Sequence, residues 1–158
     1  MAIGRDEFRA ALAHFASGVT VVTTRDDEGY LHGITVSAFC SLSLNPPLIL
    51  ICIDKRTGSH YAFTESKFFV VNILHEKQQH YADRFASNLP NKFERIEFLT
   101  NAKGIPILKD ALVNLECELI NSYNNGDHTI FVGQIERTVI NDGKPLIYFS
   151  GNYHKIKR

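Results

Sequence analysis

The sequence contains no tryptophan, one methionine and three cysteines, and it carries no net charge because 17 basic residues balance 17 acidic ones. A chain without a basic excess cannot neutralise many phosphates, so the composition argues against nucleic-acid binding. Cys40, Cys52 and Cys117 are odd in number and widely spaced, which predicts neither a disulfide framework nor a zinc site. Cys52 and Cys117 lie in apolar strand patterns and are expected to be small buried hydrophobes in a reducing compartment.

Long apolar runs are missing as well. No stretch approaches the roughly 20 apolar residues of a membrane span, and residues 1–6 do not begin a signal peptide. We therefore expect a cytoplasmic protein that does not enter a membrane. With 158 residues, of which 44% are hydrophobic, the chain is expected to form one domain over residues 1–158 with a substantial core.

Motifs of several enzyme classes are absent too. No Gly-x-Gly-x-x-Gly follows a predicted strand, which argues against a Rossmann dinucleotide site. No Gly-x-Ser-x-Gly elbow is present, and the seven histidines lack the spacing of a metal site, so no metal is expected. The chemistry, if there is any, is therefore expected to belong to a bound cofactor.

Hydrophobic periodicity predicts more strands than helices. Helices are expected over 5–16, 60–65 with Ser59 as a possible N-cap, and 76–87. The predicted strands cover 19–24, 30–37, 48–53, 68–74, 113–119, 129–140 and, as the last one, 145–149. Strand 48–53 is apolar throughout and is predicted to be buried on both faces, and a tight turn is expected at 124–127. Short turns between strands favour a mainly β fold, an antiparallel β-barrel decorated by helices.

Two neighbouring segments can seat a flat heterocycle and a phosphate, the two parts of a flavin nucleotide. The run Thr35, Val36, Ser37, Ala38, Phe39 has small side chains that let backbone groups reach a ring. The loop 54–60, with Lys55 and Ser59, combines charge, hydroxyl groups and a predicted helix start, which suit a phosphate. Taken alone, the first segment also reads as ordinary strand residues, and the second as a solvated basic turn.

Two further side chains are candidates for ligand contact. Arg84, late in the third predicted helix, can reach a phosphate or can be an ordinary surface arginine. His128 follows a tight turn directly, so its direction is well defined, and it can donate a hydrogen bond or take part in proton transfer. The alternative is an ordinary surface histidine of the hairpin with no contact to a ligand.

The motifs in their order resemble the short-chain flavin reductases of the FMN-binding split-barrel superfamily, which are the reductase components of two-component flavin-dependent monooxygenases. Nearly the whole chain takes part, and each motif is weak but the ordered set is specific. The matching segments are FASGVTVVTT at 15–24, GITVSAF at 33–39, SLSLNPPL at 41–48, FVVNIL at 69–74, RFA at 84–86, GDHTIFVG at 126–133 and PLIYFSGNYH at 145–154.

The resemblance implies a homodimeric split barrel that binds FMN or FAD near the subunit interface and takes hydride from NADH or NADPH. It places the ring on 35–39, the phosphate on 55–60 with help from Arg84, and the nicotinamide near His128. It implies a partner monooxygenase that receives reduced flavin. The residues expected to bind the cofactors are Thr35, Val36, Ser37, Ala38, Phe39, Cys52, Asp54, Lys55, Ser59, His60, Arg84, Phe85, Ala86, Tyr148 and Tyr153, with His128 as the catalytic residue.

Two other functions stay open at this point. Split barrels can hold FMN without oxidising nicotinamide, so a non-catalytic flavin-binding protein is one alternative. A reductase that uses a non-flavin acceptor, such as a ferric chelate or a corrin, is the other. The sequence does not distinguish FMN from FAD or NADH from NADPH.

Overall fold

β-Branched and alternating apolar residues dominate the chain, and the protein folds mainly as strands. A computed structural model describes residues 1–157. In chain order the elements are α1 (Arg5–Leu12), β1 (Ser17–Gly18), β2 (Thr20–Arg25), β3 (Leu31–Val36), β4 (Phe39–Ser43), β5 (Leu48–Asp54), α2 (His60–Glu65), β6 (Phe68–Ile73), α3 (Gln79–Ala86), β7 (Phe98–Thr100), β8 (Pro106–Leu108), β9 (Val113–Asn125), β10 (His128–Ile140), β11 (Leu146–Phe149) and β12 (Asn152–Lys155).

Seven strands form one antiparallel sheet in the order β3-β2-β6-β9-β10-β5-β4. Its two edge strands, β3 and β4, are consecutive in the chain and are separated only by Ser37 and Ala38. They do not pair with each other within residues 1–157, so the barrel is split between them. The predicted mainly β, split antiparallel barrel is thereby confirmed. The smaller sheets are β1-β11-β12 and β7-β8.

Two apolar clusters hold the barrel and its helices together. The first lies inside the barrel and includes Val22, Ile51 and Phe131. The second lies on the other face of β2, where Val21 packs in the cluster that contains Phe85 of α3. Successive residues of a strand point to opposite faces, so Val21 and Val22 serve different clusters. The second cluster fixes α3 against β3, which positions one wall of the site described below.

The prediction that 48–53 is buried on both faces is wrong. In β5, Ile49, Ile51 and Ile53 are buried, whereas Leu48, Leu50 and Cys52 are partly exposed. β5 lies one strand from the open edge of the barrel, so only its inward face is fully covered. Cys52 consequently borders a cavity instead of filling the core.

Several predicted boundaries also change. Helix α1 ends at Leu12 and not at residue 16, and it buries no side chain in this chain. Strand β4 was not predicted, and β11 is not the last strand because β12 follows it through Ser150 and Gly151, both with positive φ. The predicted turn is confirmed, since Asn125 pairs with His128 across Gly126 and Asp127.

Candidate functional site

A cavity of about 1360 Å³ opens where the barrel is split. Its walls come from β3 and the Ser37–Ala38 break, the end of β5, the loop 56–59, and the segment 85–94, which begins at the end of α3. The predicted site residues that line it are Thr35, Val36, Ser37, Ala38, Cys52, Asp54, Ser59, Phe85, Ala86 and His128. Residues far apart in the sequence are thus brought to one cavity by the pairing of β3, β5 and β10 in the barrel.

Six predicted site residues do not line this cavity: Tyr148 and Tyr153 line a second one described below, and the other four line neither. Phe39 packs against the barrel core. The Lys55 ammonium donates to the carbonyl of Gly126 at 2.9 Å, and His60 Nε2 lies 2.8 Å from Thr129 Oγ1. These side chains support the walls, and their contact with a ligand stays a prediction.

Arg84 is the fourth of these residues, and its guanidinium is engaged by the following loop. Its Nε donates to the carbonyl of Lys92 at 2.6 Å, and a terminal nitrogen donates to the carbonyl of Asn91 at 2.7 Å. Both acceptors are backbone atoms of a segment that lines the cavity. Arg84 therefore shapes this wall of the cavity from behind, and a direct contact with a phosphate requires it to release these carbonyls.

Tyr148 and Tyr153 line a second cavity of about 190 Å³ beside the first. The two rings lie 5.4 Å apart, and both cavities share the wall formed by Thr35, Ser37 and Ala86. Burial raises the pKa of Tyr153, so its hydroxyl stays protonated at neutral pH. The two tyrosines therefore stand beside the larger cavity, and their contact with a ligand stays a prediction.

The break between β3 and β4 offers free backbone donors. Within residues 1–157, the amides of Ser37 and Ala38 make no backbone hydrogen bond, although the carbonyls of both residues accept one. The Thr35 hydroxyl is not free, because it donates to the carbonyl of Ala82 at 2.6 Å. In the predicted ring seat, the groups free to contact a ligand are therefore backbone amides, whereas the Thr35 hydroxyl is bonded to α3.

Close packing supports the same wall from below. A Cβ on Gly33 would lie 2.5 Å from a ring carbon of Phe85, so only glycine lets α3 approach β3 this closely. Phe85 is fully buried and stacks edge-on against Phe93 at 5.1 Å. Lys92 Nζ lies on this wall and donates to the carbonyl of Phe85 at 3.1 Å, a cation that the sequence reading missed.

The loop after β5 carries the expected positive charge in a fixed position. Arg56 Nε and a terminal nitrogen donate to the two oxygens of Asp54 at 3.1 and 2.7 Å, and these hydrogen bonds hold the pKa of Asp54 well below its usual range. The amides of Gly58 and Ser59 have no hydrogen-bond partner in the described part of the chain. Ser59 occupies the predicted N-cap position of α2, but its side chain makes no capping hydrogen bond.

A buried polar network, which the sequence reading missed, stands behind Ser59. The Asp26 carboxylate accepts from His32 Nε2 at 2.8 Å and from the Tyr61 hydroxyl at 3.0 Å, and His32 Nδ1 lies 3.2 Å from Ser59 Oγ. Burial opposes the charge on Asp26, but hydrogen bonds from His32, the Tyr30 amide and Tyr61 outweigh it and lower the pKa to about 2. No sequence signal joins these residues, since the hairpin and α2 meet only in the fold.

The pKa of Asp26 predicts how stability changes with pH. A carboxyl group whose pKa falls on folding stabilises the protein above its unfolded pKa of about 4 and loses that effect as the pH falls towards 2. We expect the difference in free energy of unfolding between wild type and Asp26→Asn to be largest above pH 4 and to narrow between pH 4 and 2. Urea denaturation at several pH values measures this difference. An equal difference at all pH values would contradict the lowered pKa of Asp26.

His128 stands at the mouth of the cavity at the start of β10. Its Nδ1 lies 2.7 Å from Asp127 Oδ1, and this hydrogen bond lowers the pKa of Asp127. The carboxylate orients the ring and leaves Nε2 available, with 43% of the side chain exposed. His128 can therefore offer one nitrogen to a ligand in the cavity.

Neither a metal site nor a membrane-spanning helix is found in the part of the chain that the structure describes. Residues 1–157 bring no three or more His, Cys, Asp or Glu side chains together in an arrangement that could hold a metal ion. None of the three helices described within them has the length and apolarity needed to cross a bilayer.

Cys52 lies on the cavity wall. Burial, with the nearby Cys40, raises the pKa of the Cys52 thiol, so this cysteine is a neutral thiol at pH 7.

Residues 12–157 match the family described as flavin reductase like domain, and the chain belongs to this family. It is 38% identical over 151 residues to an NADH-dependent flavin reductase from a Rhodococcus species, covering 94% of this chain and 85% of the relative. It is 38% identical over 157 residues to the reductase subunit HsaB of a flavin-dependent monooxygenase from Rhodococcus jostii, covering 99% of this chain and 80% of that subunit.

A solved structure shows the same fold with ligands. The NADH:FAD oxidoreductase of Streptomyces globisporus, in complex with NAD and FAD fragments, superimposes with a TM-score of 0.92 at 30% identity. The match covers 97% of this chain and 93% of that one. The split-barrel fold and the family predicted from the sequence are thus confirmed.

Proposed function

We propose that this protein is an NAD(P)H-dependent flavin reductase that transfers hydride from a nicotinamide to FMN or FAD. The main observation in support is that one cavity combines two features. These are the free backbone amides of Ser37 and Ala38 and a basic, hydroxyl-bearing loop at 56–59. Relatives along nearly the whole chain are NADH-dependent flavin reductases, which supports the same activity here.

The residues present fit a flavin nucleotide. The amides of Ser37 and Ala38 can donate to the polar edge of a ring, and the small side chains there allow the approach. The Arg56 guanidinium and the free amides of Gly58 and Ser59 form a donor set suited to a phosphate. A bound flavin supplies the hydride acceptor, while the protein supplies alignment and excludes competing orientations.

Steady-state oxidation of NADH and NADPH with FMN, FAD and riboflavin in turn tests the activity. We expect nicotinamide oxidation that depends on added flavin. Flavin that binds without any nicotinamide oxidation would instead indicate a non-catalytic flavin-binding protein. Reduction of a ferric chelate or a corrin in the absence of flavin would indicate the other alternative. The same assay settles which flavin and which nicotinamide the protein prefers.

We further propose that the reduced flavin serves a partner monooxygenase. Relatives named as reductase subunits of flavin-dependent monooxygenases support this. The open cavity mouth at Asp54 and His128, where side chains remain partly exposed, is suited to release of the product. A cytoplasmic location and the absence of nucleic-acid binding stay predictions from the sequence.

We expect the protein to be a homodimer in solution. Helix α1 exposes Phe8 and Leu12 by 55% and 53%, and Phe15 just beyond it by 77%, which is an apolar surface that a second copy can cover. Light scattering at micromolar concentration should give twice the chain mass of 17.8 kDa. Leu12→Glu should shift the protein towards monomer, whereas Glu7→Gln should not; a monomeric wild type would refute the prediction.

We expect His128→Ala to slow flavin reduction by nicotinamide while flavin affinity stays nearly intact. Loss of one hydrogen bond costs about 0.5–1.5 kcal/mol, or a several-fold to tenfold fall in rate or in nicotinamide affinity. Stopped-flow reduction of the flavin-loaded variant over an NADH titration measures both. Asp127→Asn is the comparison variant, because it removes the neighbouring carboxylate but keeps the imidazole of His128. An unchanged reduction rate in His128→Ala with flavin bound would exclude a role of His128 in flavin reduction.

A further inference from the structure

His32 lies between a buried carboxylate and a cavity hydroxyl. Its Nε2 is 2.8 Å from Asp26 Oδ2, and its Nδ1 is 3.2 Å from Ser59 Oγ. The side chains of His32 and Asp26 are only 14% and 3% exposed, so solvent hardly competes for these contacts. His32 and Ser59 both line the cavity. The three side chains thus form a chain of hydrogen bonds that ends at the cavity wall.

The direction of these hydrogen bonds follows from the charge on Asp26. This carboxyl group is ionised at neutral pH and only accepts, so we assign the imidazole hydrogen to Nε2. In the neutral ring Nδ1 then carries a lone pair, and the contact at 3.2 Å requires the Ser59 hydroxyl to donate. The hydroxyl hydrogen points at His32, and Ser59 can present only oxygen lone pairs to the cavity.

Protonation of His32 reverses this arrangement. Nδ1 then carries a hydrogen and donates to Ser59 Oγ, which releases the hydroxyl hydrogen towards the cavity. A phosphate there gains a donor and a nearby positive charge, both of which favour its binding. Asp26 stands directly behind the ring, so the imidazolium that forms is paired and not left alone in a buried position.

The other charged groups near His32 already have partners of their own or act on neighbouring side chains. Glu28, in the hairpin turn, and Glu65, on α2, act electrostatically on Tyr61, whose hydroxyl lies 3.2 Å from His32 Nε2. Arg56, on the loop, is engaged by Asp54, so it opposes that charge only weakly. Lys92 donates to the carbonyls of Phe85 and Gly33.

We propose that His32 is the positioning residue for the flavin phosphate: it takes up a proton when the phosphate binds, which turns the Ser59 hydroxyl from His32 to the phosphate. This proposal rests on the proposed function, because it requires that the cavity hold the phosphate of a flavin nucleotide beside Ser59. It goes further by assigning phosphate recognition to a proton-linked switch, in which FMN binding is coupled to proton uptake and riboflavin binding is not.

Calorimetric titration of the full chain with FMN and with riboflavin tests this. Titrations at pH 7.5 in two buffers of different ionisation enthalpy measure how many protons are taken up. We expect uptake with FMN and none with riboflavin for the wild type. His32→Gln, whose amide nitrogen can keep the hydrogen bond to Asp26 but cannot titrate, should take up fewer protons and bind FMN roughly ten- to a hundredfold more weakly.

Controls separate this role from folding and from the phosphate itself. His80→Gln, an exposed histidine on α3 that does not line the cavity, should match the wild type. Riboflavin affinity of His32→Gln should stay within about twofold of the wild type, which shows an intact ring site. The phosphate of FMN has its own pKa near 6 and can itself exchange protons on binding. This exchange also occurs with His32→Gln, so the difference in proton uptake between wild type and variant excludes it.

Three results would overturn the proposal. Equal proton uptake by wild type and His32→Gln would place the proton on the phosphate or elsewhere. An equal loss of FMN and riboflavin affinity would make His32 a structural residue only. In both cases the flavin reductase function would stand. A wild type that binds neither FMN nor riboflavin would instead refute the proposed function, and the inference with it.

Discussion

Replacing Asn72 with leucine is expected to cost about 3–5 kcal/mol of the free energy of unfolding. Asn72 is fully buried on β6, where its amide nitrogen donates to the carbonyl of Val21 at 2.8 Å and its oxygen accepts from the amide of Leu108 at 3.0 Å. The same oxygen accepts from Asn114 Nδ2 at 2.8 Å. Leucine has a similar volume but removes these hydrogen bonds, so that Asn114 Nδ2 keeps only the carbonyl of Leu108 at 3.1 Å. Each buried group left unsatisfied costs about 1–3 kcal/mol.

Urea denaturation measures this loss directly. Domains of this kind are stable by about 5–15 kcal/mol, so the variant should unfold at a clearly lower urea concentration. Asn121→Leu is the matched control, because Asn121 is an exposed position on β9, and it should change the free energy by no more than about 0.5 kcal/mol. Equal midpoints for the two variants would show that the Asn72 network does not stabilise the barrel.

Replacing Ser59 with aspartate is expected to weaken FMN binding on the order of a hundredfold while riboflavin binding stays nearly unchanged. Two unit charges 4 Å apart interact by about 4 kcal/mol at an effective dielectric constant of about 20, and solvent at the open cavity reduces this figure. The structure places Ser59 beside free backbone amides on the wall of the cavity, where a phosphate is the expected ligand. A carboxylate there would repel the phosphate and leave the ring site intact.

Fluorescence titration with FMN and riboflavin measures both affinities. Ser59→Asn is the control, since asparagine has the shape of aspartate without its charge. Both variants lose the Ser59 hydroxyl, so the difference between their FMN affinities measures the effect of the charge. Salt should partly restore FMN binding to Ser59→Asp because it screens the repulsion. Equal losses for FMN and riboflavin would mean that the phosphate lies elsewhere in the cavity.

Local patterns located most elements and much of the candidate site. The strand around Asn72, the turn at Gly126 and the helix that carries Phe85 follow from periodicity and turn chemistry, which act over a few residues. Small side chains at Ser37 and Ala38 marked the place where backbone amides are free. These features depend on residues close together in the chain, and they could therefore be predicted.

Contacts between distant residues could not be predicted in this way. Arg84 was a candidate for contact with a phosphate, with an ordinary surface arginine as the alternative. In the fold its guanidinium donates to the carbonyls of the next loop, and its contact with a phosphate stays a prediction. β5 was expected to be buried on both faces, although its place near the open edge of the barrel leaves one face against a cavity. In each case the residue type allows either role, and only its neighbours in space decide between them.

By itself the sequence determined the strand-rich fold, the family and the two segments that can meet a ring and a phosphate, because strand periodicity and turn residues are local properties. Only the tertiary structure decided that Asp26, His32 and Ser59 form one hydrogen-bonded chain behind the cavity. The hairpin that carries Asp26 and His32 and the start of α2 meet only when the barrel forms. Hydrogen bonds of about 3 Å between residues 27 positions apart depend on that packing, which no local pattern specifies.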